Sequence, residues 1–127
     1  MILLDGKKTS IDIKAEISKE VDELVSRGVK KPHLAAILVG SNGASETYVG
    51  AKVKACDQVG FDSTLVRFNE DVSELDLLNE INKINNNQNI DGLIVQLPLP
   101  NHIDELKVTQ AINVEKDVDG FHPTNIG

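Results

Sequence analysis

Tyr48 and Lys52 are four residues apart in a stretch that predicts a helix from about residue 44 to residue 59. At about 100° per residue, the buried stripe of this helix is expected to contain three residues, Val49, Val53 and Cys56. Tyr48 and Lys52 are then expected at the edge of the stripe, on a face that touches the sheet or a cleft beside it. A lysine is unusual on such a face.

Two interpretations of Lys52 remain open at this point. Its aliphatic stem can cover apolar surface while its ammonium stays in water. Alternatively, the amine lies partly desolvated in a cleft, where the neutral form is favoured and can act as a base near neutral pH. Tyr48 has a similar alternative, in which its ring packs and its hydroxyl reaches water.

Gln96 is a polar residue inside an apolar run, Gly92–Pro100, that predicts a buried strand over residues 92–97. Burial of an amide without partners costs roughly 1–3 kcal/mol. Gln96 is therefore expected either to be fully hydrogen-bonded or to open onto a cavity. Its position near the carboxyl end of the strand favours a cavity, because open α/β sheets bind ligands there. Pro98 and Pro100 are expected to end the strand and form a stiff wall.

Asp117 and Asp119 could form a metal pair, but two carboxylates without a further acidic cluster are a weak signal, and loop aspartates commonly cap turns. Cys56 falls on the predicted buried stripe and is interpreted as a core residue. The three histidines lack the spacing of metal ligands; they are His33, His102 and His122. The sequence therefore predicts no metal site.

Helices and strands are predicted to alternate along the whole chain. A first helix is capped by Thr9 or Ser10 and ends at Gly28, with Ile13, Ile17, Val21 and Leu24 at helical spacing. The other predicted strands cover residues 34–39 and 61–68, the latter nearer an edge. A third helix is capped by Ser73 and buries Leu75, Leu78, Ile81 and Ile84. A last helix runs from about Asp104 to Ile112, with Leu106, Val108 and Ile112 as apolar markers.

This alternation predicts one three-layer α/β/α domain, with a mostly parallel sheet of about four strands. The formal charge of −7 argues against a nucleic-acid or anionic-membrane partner, because both require clustered cations. The single cysteine fits a reducing compartment, and the short apolar start is no signal peptide. A cytoplasmic protein is therefore expected. No glycine-rich fingerprint for a dinucleotide is present.

Three stretches of the sequence, Ala44–Ala55, Asp91–Pro100 and Lys116–Pro123, closely resemble signature stretches of the bifunctional methylenetetrahydrofolate dehydrogenase/methenyltetrahydrofolate cyclohydrolase family. The resemblance covers essentially the whole chain, in order. It implies that residues 1–127 are the N-terminal catalytic domain, similar in fold to the N-terminal domain of amino-acid dehydrogenases. The family's C-terminal NADP-binding Rossmann domain is missing from this sequence.

The resemblance also implies the roles of the polar residues. Lys52 is implied to be the catalytic lysine, Tyr48 to orient the substrate, Gln96 to hold and tune the lysine, and Asp119 to bond the pterin ring. The implied pocket lining is Val95, Leu97 and Pro98. The departures from the family pattern lie in loops and concern Ser41, Gly43 and Val114.

The implied activity belongs to folate one-carbon metabolism and purine biosynthesis. It comprises NADP-dependent oxidation of 5,10-methylenetetrahydrofolate and hydrolysis of the product to 10-formyltetrahydrofolate. NADP would be bound mainly by the missing domain, no metal is implied, and the full-length protein is expected to be a homodimer. Two alternatives stay open: a folate-binding module without catalysis, and the substrate domain of another two-domain dehydrogenase, of the amino-acid or shikimate type.

Overall fold

The computed structural model describes residues 6–118, with side chains described from residue 15 onward. Within this range four helices and three strands alternate along the chain, and a 3₁₀ turn follows the last helix. The helices are α1 (Gly6–Ser26), α2 (Gly43–Val59), α3 (Glu74–Asn85) and α4 (Glu105–Ala111). The strands are β1 (His33–Val39), β2 (Asp62–Phe68) and β3 (Gly92–Val95), and the turn is Val114–Lys116.

The sheet has β1 in the centre, paired in parallel with β2 on one side and β3 on the other. The edge position predicted for β2 is confirmed. Residues 6–118 form three strands where about four were predicted. On the free side of β3, Leu93 and Asp117 form a single parallel bridge. This pairing does not extend into a strand, because the next backbone N–H, that of Val118, donates locally to the carbonyl of Lys116 at 3.0 Å.

Helices cover both faces of the sheet, since successive side chains of a strand point to opposite faces. One face packs against α3 and α4. Its core includes Ala35, Ile37, Val39, Leu77, Ile81, Leu93, Val95, Val108 and Ile112. Ala36, Leu38 and Ile94 alternate with these residues and point toward α2, which in turn contacts α1. The predicted three-layer α/β/α architecture is confirmed.

Helix α2 begins and ends at residues suited to those positions. The side-chain oxygen of Asn42 accepts hydrogen bonds from the backbone N–H groups of Ala44 and Ser45, which have no partner inside the helix. At the other end, Gly60 has a φ of 84°, a left-handed conformation that glycine adopts without steric cost. The start and end of α2 thus follow from short-range chemistry.

The predicted apolar faces of α3 and α4 are partly wrong. Leu75 and Leu106 are 67% and 65% exposed, whereas Leu77 and Val108 are completely buried. Leu75 and Ile84 are nine residues apart, about 180° around a helix, so they cannot both face the core. The stripe of α3 consists of Leu77, Ile81 and Ile84.

Helix α1 begins at Gly6, so neither Thr9 nor Ser10 is its N-cap. The lysines that follow Gly6 have high helix propensity, which allows the helix to start earlier than the capping residues indicated. Val21 is buried, as predicted, while Leu24 is 41% exposed. Among the described residues, the helices are all too short or too polar to cross a bilayer.

Candidate active site

Lys52 and Gln96 are in contact at the carboxyl end of β3. The ammonium nitrogen of Lys52 donates to Oε1 of Gln96 at 3.3 Å. Gln96 is 8% exposed, and its Nε2 donates to the carbonyl of Leu97 at 2.9 Å. Both ends of the amide therefore have partners. Of the two expectations for Gln96, these contacts support the hydrogen-bonded one.

Gln96 lies immediately after β3, which ends at Val95 and not at residue 97 as predicted. Its backbone N–H still donates to the carbonyl of Ile37 at 3.0 Å, so one bond to β1 continues past the strand. Leu97 precedes a cis peptide bond to Pro98, and proline has no N–H with which to extend the ladder. The chain leaves the sheet directly after the residue that contacts Lys52.

Lys52 lies within the buried stripe of α2, not at its edge. The completely or nearly buried residues of α2 are Ser45, Val49, Cys56 and Val59. When Lys52 is added to these four residues, the intervals along the helix alternate between four and three residues. Lys52 is then about 20° from Ser45 around the helix. Val53, assigned to the stripe from sequence, is only half-buried.

The side chain of Lys52 lines an apolar cavity of about 340 Å³. The other residues that line it are Ile17, Leu34, Ala55, Cys56, Val59, Phe61, Ile94 and Val118. The half-buried lysine thus combines an apolar wall with a polar contact at its end. The stem of Lys52 thus covers apolar surface, as the first interpretation expects, while its amine contacts a buried amide.

Tyr48 is 60% exposed, although its face was expected to touch the sheet or a cleft. Val49, which follows it, occupies the buried stripe at 1% exposure. Tyr48 is about 100° from Val49 around the helix but only about 20° from the buried Val59, so its angular position alone does not account for its exposure. Tyr48 and Lys52 remain one turn apart on the same side of α2. Among the described hydrogen bonds, Lys52 contacts Gln96 and Tyr48 does not.

The three predicted pocket residues lie in two different environments. Val95 is 1% exposed and belongs to the core under α3 and α4, against which Leu97 also packs. Pro98 lines a separate cavity of about 350 Å³ at the carboxyl ends of β1 and β3. Loop residues Gly40, Ser41, Asn42 and Glu70 line it too. The fold therefore brings the side chains of Lys52 and Gln96 into contact, but it does not bring Val95 to them.

Asp117 is buried beside β3, whereas Asp119 lies outside the described residues. Within residues 15–118, acidic, cysteine and histidine side chains form no group of three suited to a metal ion. His33 and His102 are instead within 2.7 Å of Thr64 Oγ1 and the Val72 carbonyl, respectively. Burial raises the pKa of the Cys56 thiol, consistent with the predicted core role.

Comparison with known proteins identifies the family of this domain. The family model for the catalytic domain of tetrahydrofolate dehydrogenase/cyclohydrolase matches residues 4–119. The chain belongs to the tetrahydrofolate dehydrogenase/cyclohydrolase family. The resemblance of the three sequence stretches is thereby confirmed, and an unrelated amino-acid or shikimate dehydrogenase is excluded.

Curated relatives in the tetrahydrofolate dehydrogenase/cyclohydrolase family include the bifunctional protein FolD of Flavobacterium johnsoniae. It is 62% identical over all 127 residues of this chain, which cover 43% of that relative. The FolD protein of Bacteroides thetaiotaomicron is 58% identical with the same coverage. The chain thus spans less than half the length of these relatives.

Solved structures of the family have the same fold. The bifunctional FolD enzyme of Campylobacter jejuni matches with a TM-score of 0.93 at 46% identity, over all of this chain and 45% of that one. A Trypanosoma brucei methylenetetrahydrofolate dehydrogenase-cyclohydrolase, complexed with NADP cofactor and inhibitor, matches with a TM-score of 0.93 at 34% identity. That match covers 99% of this chain and 43% of the Trypanosoma chain.

Ser45 is a polar residue of this tetrahydrofolate dehydrogenase/cyclohydrolase domain that the sequence reasoning did not single out. It is 2% exposed, and its hydroxyl has no hydrogen-bond partner among the described residues. It precedes Lys52 by seven residues, or two turns, on the same stripe. Tracing the stripe from Cys56 back in steps of four and three residues would have found both Lys52 and Ser45.

Proposed function

We propose that this chain is the folate-binding catalytic domain of a bifunctional enzyme of one-carbon metabolism. The enzyme oxidises 5,10-methylenetetrahydrofolate with NADP and hydrolyses the resulting 5,10-methenyltetrahydrofolate to 10-formyltetrahydrofolate. The contact between Lys52 and Gln96 is the observation that supports the proposal most directly. Family membership and the apolar cavity beside Lys52 add to it.

Lys52 is proposed to transfer protons in the hydrolytic step. Its substrate is a delocalised cation, which repels a protonated amine and so favours neutral Lys52. Water adds through its oxygen to the one-carbon bridge, and the amine accepts a proton from that water. The bond from the bridge carbon to N5 then breaks with its electron pair going to nitrogen, and Lys52 returns the proton to N5. The carbinol hydroxyl becomes the formyl carbonyl as its own proton passes to water. The formyl group remains on N10.

Gln96 is proposed to hold the amine in place for both protonation states. A carboxamide has a donor and an acceptor, so it can bond an ammonium or a neutral amine. Its Nε2 is already bonded to the Leu97 carbonyl, which directs Oε1 toward Lys52. Tyr48 is proposed to orient the folate one turn away. Asp119 is proposed to accept hydrogen bonds from the amino and ring N–H groups of the pterin, with Leu97 and Pro98 contributing to its pocket. The buried Val95 can support that pocket only from the core.

The residues of this chain do not fit NADP. No glycine-rich phosphate-binding fingerprint occurs in the sequence, because no two of its glycines are separated by a single residue, as the motif requires. When bound by the remainder of such an enzyme, NADP would accept the hydride. We therefore assign to the present residues only the binding of folate and the transfer of protons.

The cellular setting follows from the same proposal. Tetrahydrofolate derivatives are the proposed small-molecule partners, and the product supplies formyl groups for purine biosynthesis. The net charge of −7 is unsuited to nucleic-acid or membrane surfaces. We propose a cytoplasmic enzyme that acts as a homodimer at full length.

Lys52→Met is the variant that tests this function. In a full-length enzyme containing this domain, we expect the kcat/KM for 5,10-methenyltetrahydrofolate hydrolysis to fall at least about 100-fold, because proton transfer is lost. The thermal unfolding midpoint should change little, since methionine keeps an unbranched apolar stem in the cavity. The measurement is the decay of the near-ultraviolet absorbance of the substrate.

Lys54→Met provides the matched control, because Lys54 is on the same helix, two residues away, and exposed. Its activity should stay within about twofold of wild type, as expected for a surface substitution. Near-normal turnover by Lys52→Met would reject the assigned role. Folate binding without any hydrolysis by the wild-type enzyme would instead identify a binding module.

A further inference from the structure

The carboxylate of Glu105 holds the segment that follows β3. Its Oε2 accepts a hydrogen bond from the backbone N–H of Leu99 at 2.7 Å. Leu99 is 7% exposed, so its N–H has little access to water and needs an acceptor within the protein. Glu105 is half-buried and is the first residue of α4, and bonds to a carboxylate are stronger than bonds between neutral groups. Helix α4 therefore fixes a residue that precedes it in the chain.

Leu99 is connected to Gln96 by a stiff piece of backbone. The carbonyl of Leu97 accepts a hydrogen bond from Nε2 of Gln96 at 2.9 Å. Between that carbonyl and the N–H of Leu99 lies Pro98, whose ring fixes its φ angle. Because both peptide bonds are planar, the ψ angle of Pro98 is the single soft dihedral between the two groups. A displacement of Leu99 is therefore passed on to the Leu97 carbonyl and not absorbed before it.

The Leu97 carbonyl in turn orients the side chain that contacts Lys52. With Nε2 of Gln96 bonded to this carbonyl, its Oε1 is directed at the ammonium of Lys52, 3.3 Å away. Gln96 is buried, so a displaced carbonyl forces the amide either to follow or to lose a bond that water does not replace. Glu105 and Lys52 are thus linked by one continuous series of contacts, from α4 through the end of β3 to α2.

We propose that Glu105 is a positioning residue for the proton transfer at Lys52. It fixes Leu99, and through the Leu97 carbonyl it fixes the orientation of the Gln96 side chain. This inference rests on the proposed function, which assigns the proton transfer to Lys52 and the placement of its amine to Gln96. Loss of the carboxylate should therefore slow the hydrolytic step more than it weakens folate binding.

Glu105→Ala in the full-length enzyme tests this inference with 5,10-methenyltetrahydrofolate as the substrate. We expect kcat to fall about tenfold while KM stays within about threefold, the pattern of an interaction used in the transition state. A KM raised about tenfold with an unchanged kcat would place the effect in substrate binding and would overturn the inference.

Glu105→Gln is the conservative variant. Its side chain keeps an oxygen that can accept from the N–H of Leu99, so kcat should return to within about twofold of the wild-type value. The variant removes the negative charge but not the acceptor, and it thereby separates the bond to Leu99 from a general effect of charge. A kcat as low as that of Glu105→Ala would contradict the positioning role.

Asp104→Ala is the matched control for the stability of α4. Asp104 is the N-cap of this helix and accepts from the backbone N–H groups of Leu106 and Lys107, so its loss weakens the same helix start without removing the bond to Leu99. Both alanine variants should lower the unfolding midpoint, but kcat of Asp104→Ala should stay within about twofold of wild type. Equal losses of kcat, or a lower midpoint with normal kcat in Glu105→Ala, would show a purely structural role and overturn the inference.

Gln96→Ala separates the inference from the function on which it rests. If this variant has a normal kcat, the proposed role of Gln96 fails and the inference fails with it. If it lowers kcat but Glu105→Ala does not, only the positioning role fails. In the double variant Glu105→Ala/Gln96→Ala, we expect kcat within about twofold of that of Gln96→Ala alone, because both changes act through one amide. The full product of the two single effects would overturn the inference.

Glu105→Asp decides the matter if Glu105→Ala does not fold. Aspartate is also favourable in the first turn of a helix, but its side chain is one methylene shorter and ends farther from the N–H of Leu99. We expect kcat to fall at least about threefold with a nearly unchanged KM. A wild-type kcat in folded Glu105→Asp would overturn the proposal.

Discussion

Gln96 connects two parts of the site through one carboxamide. Its Nε2 bonds the adjacent Leu97 carbonyl, so its Oε1 is directed at Lys52. Because the residue is buried, a rotation that broke one bond would leave a polar atom unsatisfied, at a cost of roughly 1–3 kcal/mol. The lysine therefore has a fixed acceptor, which suits the proton-transfer role proposed for it.

The sequence predicted that Gln96 and Lys52 were significant but not how they meet. A buried amide is conspicuous in an apolar strand, and its need for partners follows from elementary energetics. The partner is 44 residues away on a different element, and only the packing of α2 on the sheet brings the two together. The exposure of Tyr48 was also missed, and helix rotation does not explain it, because the observed stripe of α2 lies nearer to Tyr48 than the predicted one.

Asp91 is the residue whose charge should make stability depend on pH. Lys30 donates to its carboxylate at 2.6 Å and the backbone N–H of His33 at 2.9 Å. The Lys30 bond is the main reason that the pKa of Asp91 lies below its usual value, and the His33 bond lowers it further. A carboxylate with a lower pKa in the folded state stabilises the fold above the pKa of the unfolded chain. That contribution is lost as pH falls through the folded-state pKa.

We predict that Asp91→Asn lowers the free energy of unfolding at pH 7 by up to about 1 kcal/mol, a small value because the side chain is half-exposed and screened. The deficit should be constant down to about pH 5 and shrink below about pH 4, where unfolded aspartate is protonated. Urea denaturation across this range measures it. The exposed Asp57→Asn should show no such deficit, and an undiminished Asp91→Asn deficit at pH 3 would contradict the prediction.

Helix α3 illustrates how an element can be predicted while its buried face is misassigned. Residues spaced by three, such as Leu75, Leu78 and Ile81, drift about 60° at each step, because three residues fall short of a full turn. The true stripe, Leu77, Ile81 and Ile84, uses spacings of four and three and stays within an arc of about 60°. The apolar residues were sufficient to predict the helix. To predict its buried face, the angle of each residue around the helix axis has to be added up.

Leu77→Ala and Leu75→Ala make a matched pair on this helix. Leu77 is completely buried, so its truncation should cost about 2–5 kcal/mol of unfolding free energy. Leu75 is 67% exposed, and its truncation should stay within about 0.5 kcal/mol. Urea denaturation of both variants measures the difference. Equal losses would show that the core lies elsewhere.

For the molecule as a whole, the alternation of helices and strands was sufficient to predict the three layers. The number of strands was not, because the position beside β3 is taken by the bridge between Leu93 and Asp117. A bridge of one pair leaves no apolar run or alternation in the sequence. The site was predictable where a polar residue interrupted an apolar pattern. Ser45 was not identified from the sequence, because serine is common at helix starts and does not stand out there.

The proposed separation of folate and dinucleotide binding leads to a prediction about residues 1–127 on their own. We expect this chain, mixed with 5,10-methylenetetrahydrofolate and NADP, to form no NADPH, because the sequence has no fingerprint for the dinucleotide. Near-ultraviolet absorbance of NADPH provides the measurement, with a full-length enzyme as the positive control. NADPH formation by the purified chain would contradict the assignment.

The opposite orientations of Val95 and Gln96 have a practical consequence for protein engineering. Neighbouring residues at the end of one strand serve different purposes, because one fills the layer under α3 and α4 and the other contacts Lys52. Libraries for thermostability can therefore be confined to one side of the sheet, while libraries for altered reactivity are built on the other. Directed evolution of such a domain should find the two traits largely independent.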